Sequence, residues 1–229
     1  AAADCGYSFP DAVLAAEPRA ARWFAGGRFE TRFGPFLLRR AAGDVLVDCG
    51  LGPGPEPYFP GLAGALPAAL AAAGSGMERI AAVVFTHLHI DHVGWAPFLP
   101  NARFVVAAAE WAHWARGEGL AHHVRAVARC IAPLAEAGRL ELVEAGEVLP
   151  TEVLAGVTLL AAPGHTPGHH AVLVEDRLLI AGDTWHSPAQ IEMPAWCHRA
   201  DMDPKLAVTT RTRLADMARR HGWLLAAGH

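Results

Sequence analysis

Ile80-Ala81-Ala82-Val83-Val84-Phe85-Thr86-His87-Leu88-His89-Ile90-Asp91-His92-Val93-Gly94 decides how the rest of the chain is read. Ile80 to Phe85 is an unbroken apolar run with β-branched and aromatic side chains, the pattern of a buried strand. Immediately after it, His87, His89, Asp91 and His92 place four metal-capable side chains within six residues. His87 and His89 are two apart, so in extended backbone they point to the same side. Asp91 and His92 follow once the chain has turned and approach from another direction. Neutral imidazole and carboxylate suit Zn²⁺ or a similar first-row ion, with Mn²⁺, Fe²⁺ and Co²⁺ fitting the same donors.

The bulk properties narrow the function classes. At 229 residues the chain suits one domain, taken as 1–229, with enough core to fold without disulfide staples. A formal net charge of -4 and no basic clusters give no field that would draw nucleic acid or an anionic membrane. A small-molecule substrate is the expected partner, and the oligomeric state is left open. Thirteen histidines are more than the opening stretch uses, which directs the search for donors further along. Cys5, Cys49, Cys130 and Cys197 form no CxxC pair; reduced thiols are favoured, with a single disulfide left open. Ala1-Ala2-Ala3-Asp4 has neither a charged nor an apolar leader segment. A cytoplasmic location is therefore expected, secretion staying open, and no run is long enough to span a membrane.

Read in order, Phe29 to Phe33 and Phe36 to Arg40 predict two strands joined at Gly34-Pro35, after a short helix near Ala12 to Ala16. Asp44 to Asp48 predicts a third strand. Gly50 to Gly61 is dense in breakers and predicts a wall or lid near the site. Leu62 to Ala73 predicts a helix, with Pro67 comfortable only in its first turn. Beyond the opening stretch come a strand over Arg103 to Ala107, a helix over Ala108 to Arg116, and a longer helix over Ala121 to Ala137 broken or kinked at Pro133. Leu140 to Val143 and Val153 to Leu160 predict strands, and His169 to Val174 with Leu178 to Ala181 a hairpin about Glu175-Asp176-Arg177. Pro204 to His221 predicts a helix capped by Asp203, and Trp223 to Ala226 a last strand. Hairpins and helices in this arrangement predict an α/β fold with mixed sheets.

Three later positions repeat the opening theme, a metal-capable side chain beside glycine just past an apolar strand: His165 in Pro163-Gly164-His165-Thr166-Pro167-Gly168-His169, Asp183 in Gly182-Asp183, and His229 in Gly228-His229. Strand ends gathered at one sheet edge bring such positions together. Taken alone, Gly-Asp is as often a turn as a ligand, and His169 reads as a hydrogen-bonding neighbour of the motif.

HxHxDH, then GHTPGH, then GD and GH, in this order, resembles the metallo-β-lactamase-fold hydrolase superfamily, and Val47-Asp48-Cys49-Gly50 is similar to its VDTG-type segment. The resemblance implies a four-layer αβ/βα sandwich of two mixed β-sheets flanked by helices, with two divalent metal ions, zinc by default, at one edge. It assigns His87, His89 and His165 to the first ion, Asp91, His92 and His229 to the second, and Asp183 to a bridge between them. Asp48 would orient a ligand histidine from behind. Family chains continue past the position of His229, so the resemblance implies that this one does too. The implied reaction is attack by a hydroxide shared between two ions on a lactone or related ester, with Asp91 as the catalytic group that moves a proton.

Within the superfamily, the aspartate at 183 differs from true β-lactamases, which lack the bridging Asp. The histidine at 89 differs from flavodiiron-type members, which carry Glu there. Thr184-Trp185-His186-Ser187-Pro188-Ala189-Gln190, Pro194-Ala195-Trp196, Asp201-Met202-Asp203-Pro204 and His92-Val93-Gly94-Trp95 resemble the branch of lactonases and methyl-parathion-hydrolase-like enzymes. Phosphotriester hydrolysis, glyoxalase-II-like thioester hydrolysis and a non-hydrolytic role on the same site remain alternatives. Trp95, Trp185 and His186 adjoin ligand motifs and are expected to line the substrate pocket; Trp111 and Trp114 suit core or pocket equally. Neither tyrosine, Tyr7 or Tyr58, lies near the segment where many lactonases of the superfamily place one.

Overall fold

Alternation along the strands sorts their side chains onto opposite faces, and that sorting builds the layers. In the computed structural model, residues 33–54, 56–59, 61–144 and 154–229 are described, with Trp23 and the backbone of 2–4 and 28–30. Two short strands, β1 (Ala2–Asp4) and β2 (Arg28–Glu30), pair antiparallel with each other. A five-stranded sheet follows: β3 (Phe36–Leu38), β4 (Asp44–Val47), β5 (Ile80–Val84), β6 (Arg103–Ala107) and β7 (Leu140–Val143), side by side in that order. Only β3 runs antiparallel to its neighbour. The second sheet holds β8 (Val157–Ala161), β9 (His170–Val174), β10 (Leu178–Ile180) and β11 (Leu224–Ala226) in the order β11-β10-β9-β8, with β10 and β11 parallel.

Between the sheets, Val45, Val47, Ala82, Val84 and Val105 meet Val157, Leu159, Val172, Val174 and Ile180. The residues between them point the other way. Leu46, Val83 and Phe104 pack beneath α1 (Leu66–Ala72) and α4 (Ala121–Cys130) through Leu66, Leu70 and Val127. On the second sheet, Leu173 and Leu179 face Leu214 and Ala218 of the long C-terminal helix α7 (Pro204–His221). The four layers are helices, sheet, sheet, helices, the expected αβ/βα sandwich. Phe104 is fully buried, and Phe104→Ala would cost about 3–5 kcal/mol. Between these elements run α2 (Ile90–Val93), α3 (Ala108–Ala115), α5 (Ala132–Glu136) and α6 (Ala189–Glu192). Among the described residues no helix is long and apolar enough to cross a membrane.

The local expectations fared unevenly. Asp203 caps α7 by accepting a hydrogen bond from the Leu206 amide, and the hairpin turn sits at Glu175 and Asp176, both at positive φ. Pro67 falls in the first turn of α1, which starts at Leu66 rather than Leu62, and the helix expected over 121–137 is split into α4 and α5 ahead of Pro133. The hairpin expected about Gly34-Pro35 is not formed: β2 pairs with β1, and β3 pairs with β4. The chain reverses instead just before β4, where Gly43 takes φ +135 against Ala81, a place with no room for a side chain. The helix expected near Ala12 to Ala16 lies outside the described residues. Cys49, Cys130 and Cys197 are free thiols, and burial pushes the Cys49 thiol well up; Cys5 lies outside the described residues.

Candidate metal centre

Topology gathers the donors. β4, β5, β10 and β11 end at the same edge, and the loop from β8 into β9 opens there too. His87 leaves β5, His92 rides on α2, His165 sits in the β8–β9 loop, Asp183 follows β10, and His229 follows β11. The two sheets are tied at this edge by the His170 amide, which donates to the Thr86 carbonyl at 2.8 Å. Gly182, at φ +52, packs so tightly on Thr86 and His169 that a Cβ there would come within 2.7 Å of the His169 ring. That close approach lets Asp183 enter the cluster.

All seven expected donors meet. His87, His89, His165 and Asp183 form one group and Asp91, His92 and His229 another, each with its donor atoms mutually within 4.8 Å. Asp183 stands between them: its Oδ2 is 3.0 Å from His229 Nε2, 3.3 Å from His165 Nε2 and 3.7 Å from His87 Nε2, and its Oδ1 is 3.3 Å from His92 Nε2. His165 Nε2 and His89 Nδ1 are 3.1 Å apart. Asp91 Oδ2 lies 3.8 Å from both His92 Nε2 and His229 Nε2.

The hydrogen bonds behind the rings fix which nitrogen faces inward. Asp48 is held at φ +60 at the end of β4, and accepts from His92 Nδ1 at 2.9 Å and from the Thr86 hydroxyl at 2.9 Å. Having donated to Asp48, that hydroxyl accepts from His87 Nδ1 at 3.0 Å. His165 Nδ1 donates to Asp201 at 3.1 Å. In all three rings this network puts the proton on Nδ1 and turns Nε2 into the cluster; in His87 and His92 the Nε2 lone pair has no hydrogen bond. His87 Nε2, His92 Nε2 and Asp183 Oδ1 are buried and have no hydrogen bond, although they lie beside one another. Orphans of this kind cost free energy unless something occupies the space between them. Divalent ions fit the space: the donor set is imidazole and carboxylate, and an aspartate with no arginine or lysine partner is available to bridge.

The protonation tendencies agree. Burial pulls His87 and His89 well below the ordinary imidazole value, so they are neutral ligands-in-waiting. Burial opposes charging of His92 and His229 too, but Asp183, with Asp48 or Asp91, outweighs it and raises both. Asp183 is likewise opposed by burial, yet His229, His92 and His87 hold its carboxyl well below the usual range. The carboxylates here recruit protons onto histidines, and a cation would take the place of those protons.

His186 joins the cluster, its Nε2 3.3 Å from Asp183 Oδ2 and its ring stacked on His198 at 3.9 Å. His169 accepts from the Asp183 amide at 3.0 Å and so supports the bridge. The two tryptophans sit elsewhere. Trp185 is packed into the outer core behind the second sheet at 1% exposure, and Trp95 lines an apolar cavity of about 380 Å³ that none of the seven donors borders.

Three residues escaped the sequence reading. Glu110 on α3 is completely buried; Oε1 accepts from the Leu88 amide (3.0 Å) and Trp114 Nε1 (2.6 Å), and Oε2 from the Thr166 hydroxyl (2.7 Å) and the Gly168 amide (3.1 Å). One carboxylate thus clamps both donor-bearing loops. Asp201 orients His165 while bound to the buried Arg211. His123 stacks on His89 at 3.7 Å and accepts from the Ile90 amide. A lone acid in the apolar run Val105 to Trp114 was the one available sign of Glu110.

The profile of the metallo-beta-lactamase superfamily matches residues 35–229. The chain belongs to this superfamily. An N-acyl homoserine lactonase of Bacillus thuringiensis is 28% identical over 153 residues, covering 64% of this chain and 54% of the relative; one from Bacillus cereus is 27% identical over 158 residues, covering 66% and 56%. The chain thus spans about half the length of these curated relatives. Among solved structures, the hydrolase AbOPH of the beta-lactamase superfamily superposes with a TM-score of 0.81 at 23% identity, covering 99% of this chain and 82% of that one. AidC, a dizinc quorum-quenching lactonase in complex with a product, superposes at 0.80 and 19% identity, covering 100% and 84%. These likenesses show that the superfamily fold extends through the whole sandwich.

Proposed function

We propose that this protein is a dinuclear metal-dependent hydrolase of lactones or related esters. One observation carries the reading: three imidazoles whose Nδ1 atoms are occupied from behind turn their Nε2 atoms towards a single aspartate that has no arginine or lysine partner. His87, His89 and His165 would hold one ion, Asp91, His92 and His229 the other, and Asp183 would bridge them. Bound there, a pair of dications, zinc in the first instance, supplies an activated water and a Lewis acid for the carbonyl oxygen. The chain does the rest. Asp48, Thr86 and Asp201 keep the rings in register, so the reacting centre is preorganised. Asp91 Oδ2 takes the proton of the attacking water and returns it to the departing alkoxide. His186, beside Asp183, would touch the substrate. The lactonase relatives favour a lactone among the esters.

The test pairs elemental analysis of the purified protein with a substrate panel of simple lactones, aryl esters, paraoxon and a thioester. The expected result is about two ions per chain and chelator-sensitive opening of the lactones. Preference for paraoxon or the thioester would move the reading to another reaction on the same site. Bound metal with no turnover on any member would end it.

A further inference from the structure

A row of rings leaves the metal centre on one side and returns to it on the other. From His229 it passes to Phe33 at 5.2 Å between centroids, to Phe59 at 5.0 Å and to Tyr58 at 5.0 Å. Tyr58 lies flat on His122, 3.7 Å away at 11°; His122 meets His123 at 4.0 Å, and His123 stacks on His89. Separate segments supply it: the approach to β3, the loop after β4, and α4. The row therefore reflects the fold and not a local repeat. The loop is fastened in place. Glu56 pairs with Arg129 of α4, and the Phe59 amide closes a turn on the Glu56 carbonyl at 2.9 Å. Tyr58 is presented at that turn with 41% of its surface exposed.

We infer that this arc is the substrate-recognition wall of the site and that it takes a planar aromatic ring carried by the substrate. This deepens the proposed function, since it rests on the substrate's reacting carbonyl lying at the donors. The chemistry of the wall selects the class. Phe33, Phe59 and Tyr58 carry no charge, and burial with Arg125 nearby keeps His122 below the ordinary imidazole value, so the surface is neutral and π-faced. Its rings bring no fixed positive charge to a carboxylate or phosphate, and they favour a flat ring over a puckered one of equal size. Phe33 also lines the apolar cavity beside Trp95, which extends the apolar surface away from the donors.

Matched probes isolate the ring from the head group. Phenylacetate and cyclohexylacetate share a carboxylate for the metal centre and differ in ring planarity. By calorimetry on the metal-loaded protein, phenylacetate should bind roughly two- to tenfold tighter, the range of an aromatic pair beyond its area. Tyr58→Leu and Phe59→Leu should bring that ratio to about one by weakening phenylacetate more than cyclohexylacetate, with metal content unchanged, and Tyr58→Phe should keep it. In turnover, γ-phenyl-γ-butyrolactone should show the lower KM than its cyclohexyl counterpart, with similar kcat, and Tyr58→Leu should level the two. Equal binding of the two acids, a ratio that survives both leucine variants, or an equal loss for both acids would overturn the inference. If the wild type opens no lactone, the proposed function falls, while the binding ratio still decides on the wall.

Discussion

Asp44 and Asp183 are both buried carboxylates at strand ends, and the chain treats them in opposite ways. Asp44 opens β4 with its needs met: the Ser75 hydroxyl donates at 2.6 Å, the Arg40 amide at 3.2 Å and Arg79 Nε at 3.3 Å, with Arg39 Nε 3.4 Å away. Despite burial, the bonds from Ser75 and Arg79 hold its carboxyl below the usual value. Asp183, at the opposite edge of the sandwich, has imidazoles as its ionic partners among the described residues, and its Oδ1 accepts nothing. The first is a finished structural joint. The second keeps a buried oxygen without a hydrogen bond, and that contrast, rather than burial itself, separates framework from chemistry.

The largest effect should come from the unfinished end. Asp183→Ala is expected to abolish lactone opening and to lower bound metal from about two ions per chain towards one, read by elemental analysis beside kcat/KM. Asp48→Asn keeps the hydrogen-bonding shape but weakens the hold on His92 and His87; metal affinity or activity should fall about 10–100-fold, measured by competition with a chelator. Glu110→Gln replaces one acceptor with a donor facing Thr166 and the Gly168 amide. It should cost ~1–3 kcal/mol in urea unfolding and loosen metal retention with it. Asp44→Asn should cost stability of that same order while metal content and kinetics stay at the wild-type level; a loss of metal there would break the contrast.

Acid should also separate the two ends. Burial, with His122 and His165 beside it, pulls His123 from 6.5 down to about 3. The folded form thus refuses a proton that the unfolded chain takes. The contribution of His123 to the stability of the metal-stripped protein should be intact above about 6.5 and fall progressively as pH drops towards 3. The lowered carboxyl of Asp44 adds its own loss only as pH falls through the ordinary value of 3.8 and below. In melting temperatures between pH 7 and 4.5, the loss on acidification should be reduced by His123→Phe and untouched by Asp44→Asn.

The donors were legible because each follows an apolar strand and stands next to glycine or another donor, a signature carried by neighbours in the chain. The same holds for Asp203 at the start of α7, where cap, proline and apolar spacing agree. Glu110, Asp201 and His123 were not legible, because their partners are distant in sequence: Glu110 bonds Gly168 across 58 positions and Asp201 bonds His165 across 36. Nothing local marks an acid whose role is to receive amides from elsewhere. The pairing of β3 with β4 was missed for a related reason, since Gly34-Pro35 and Gly43 both signal reversal and only the packing of Ala81 decides between them. Trp185 shows the limit of adjacency: two residues past Asp183, it is turned into the outer core.

The division of donors between the sheets has a consequence for how the molecule comes into being. His87, His89, Asp91 and His92 belong to the half built around β5, whereas His165, Asp183 and His229 arrive only with β8 to β11. A nascent chain that has finished its earlier half owns a partial claw and no bridge. Such long-range closure is slow to nucleate. If two ions are bound as proposed, their full complement would certify completed folding, since every shorter intermediate lacks the bridge.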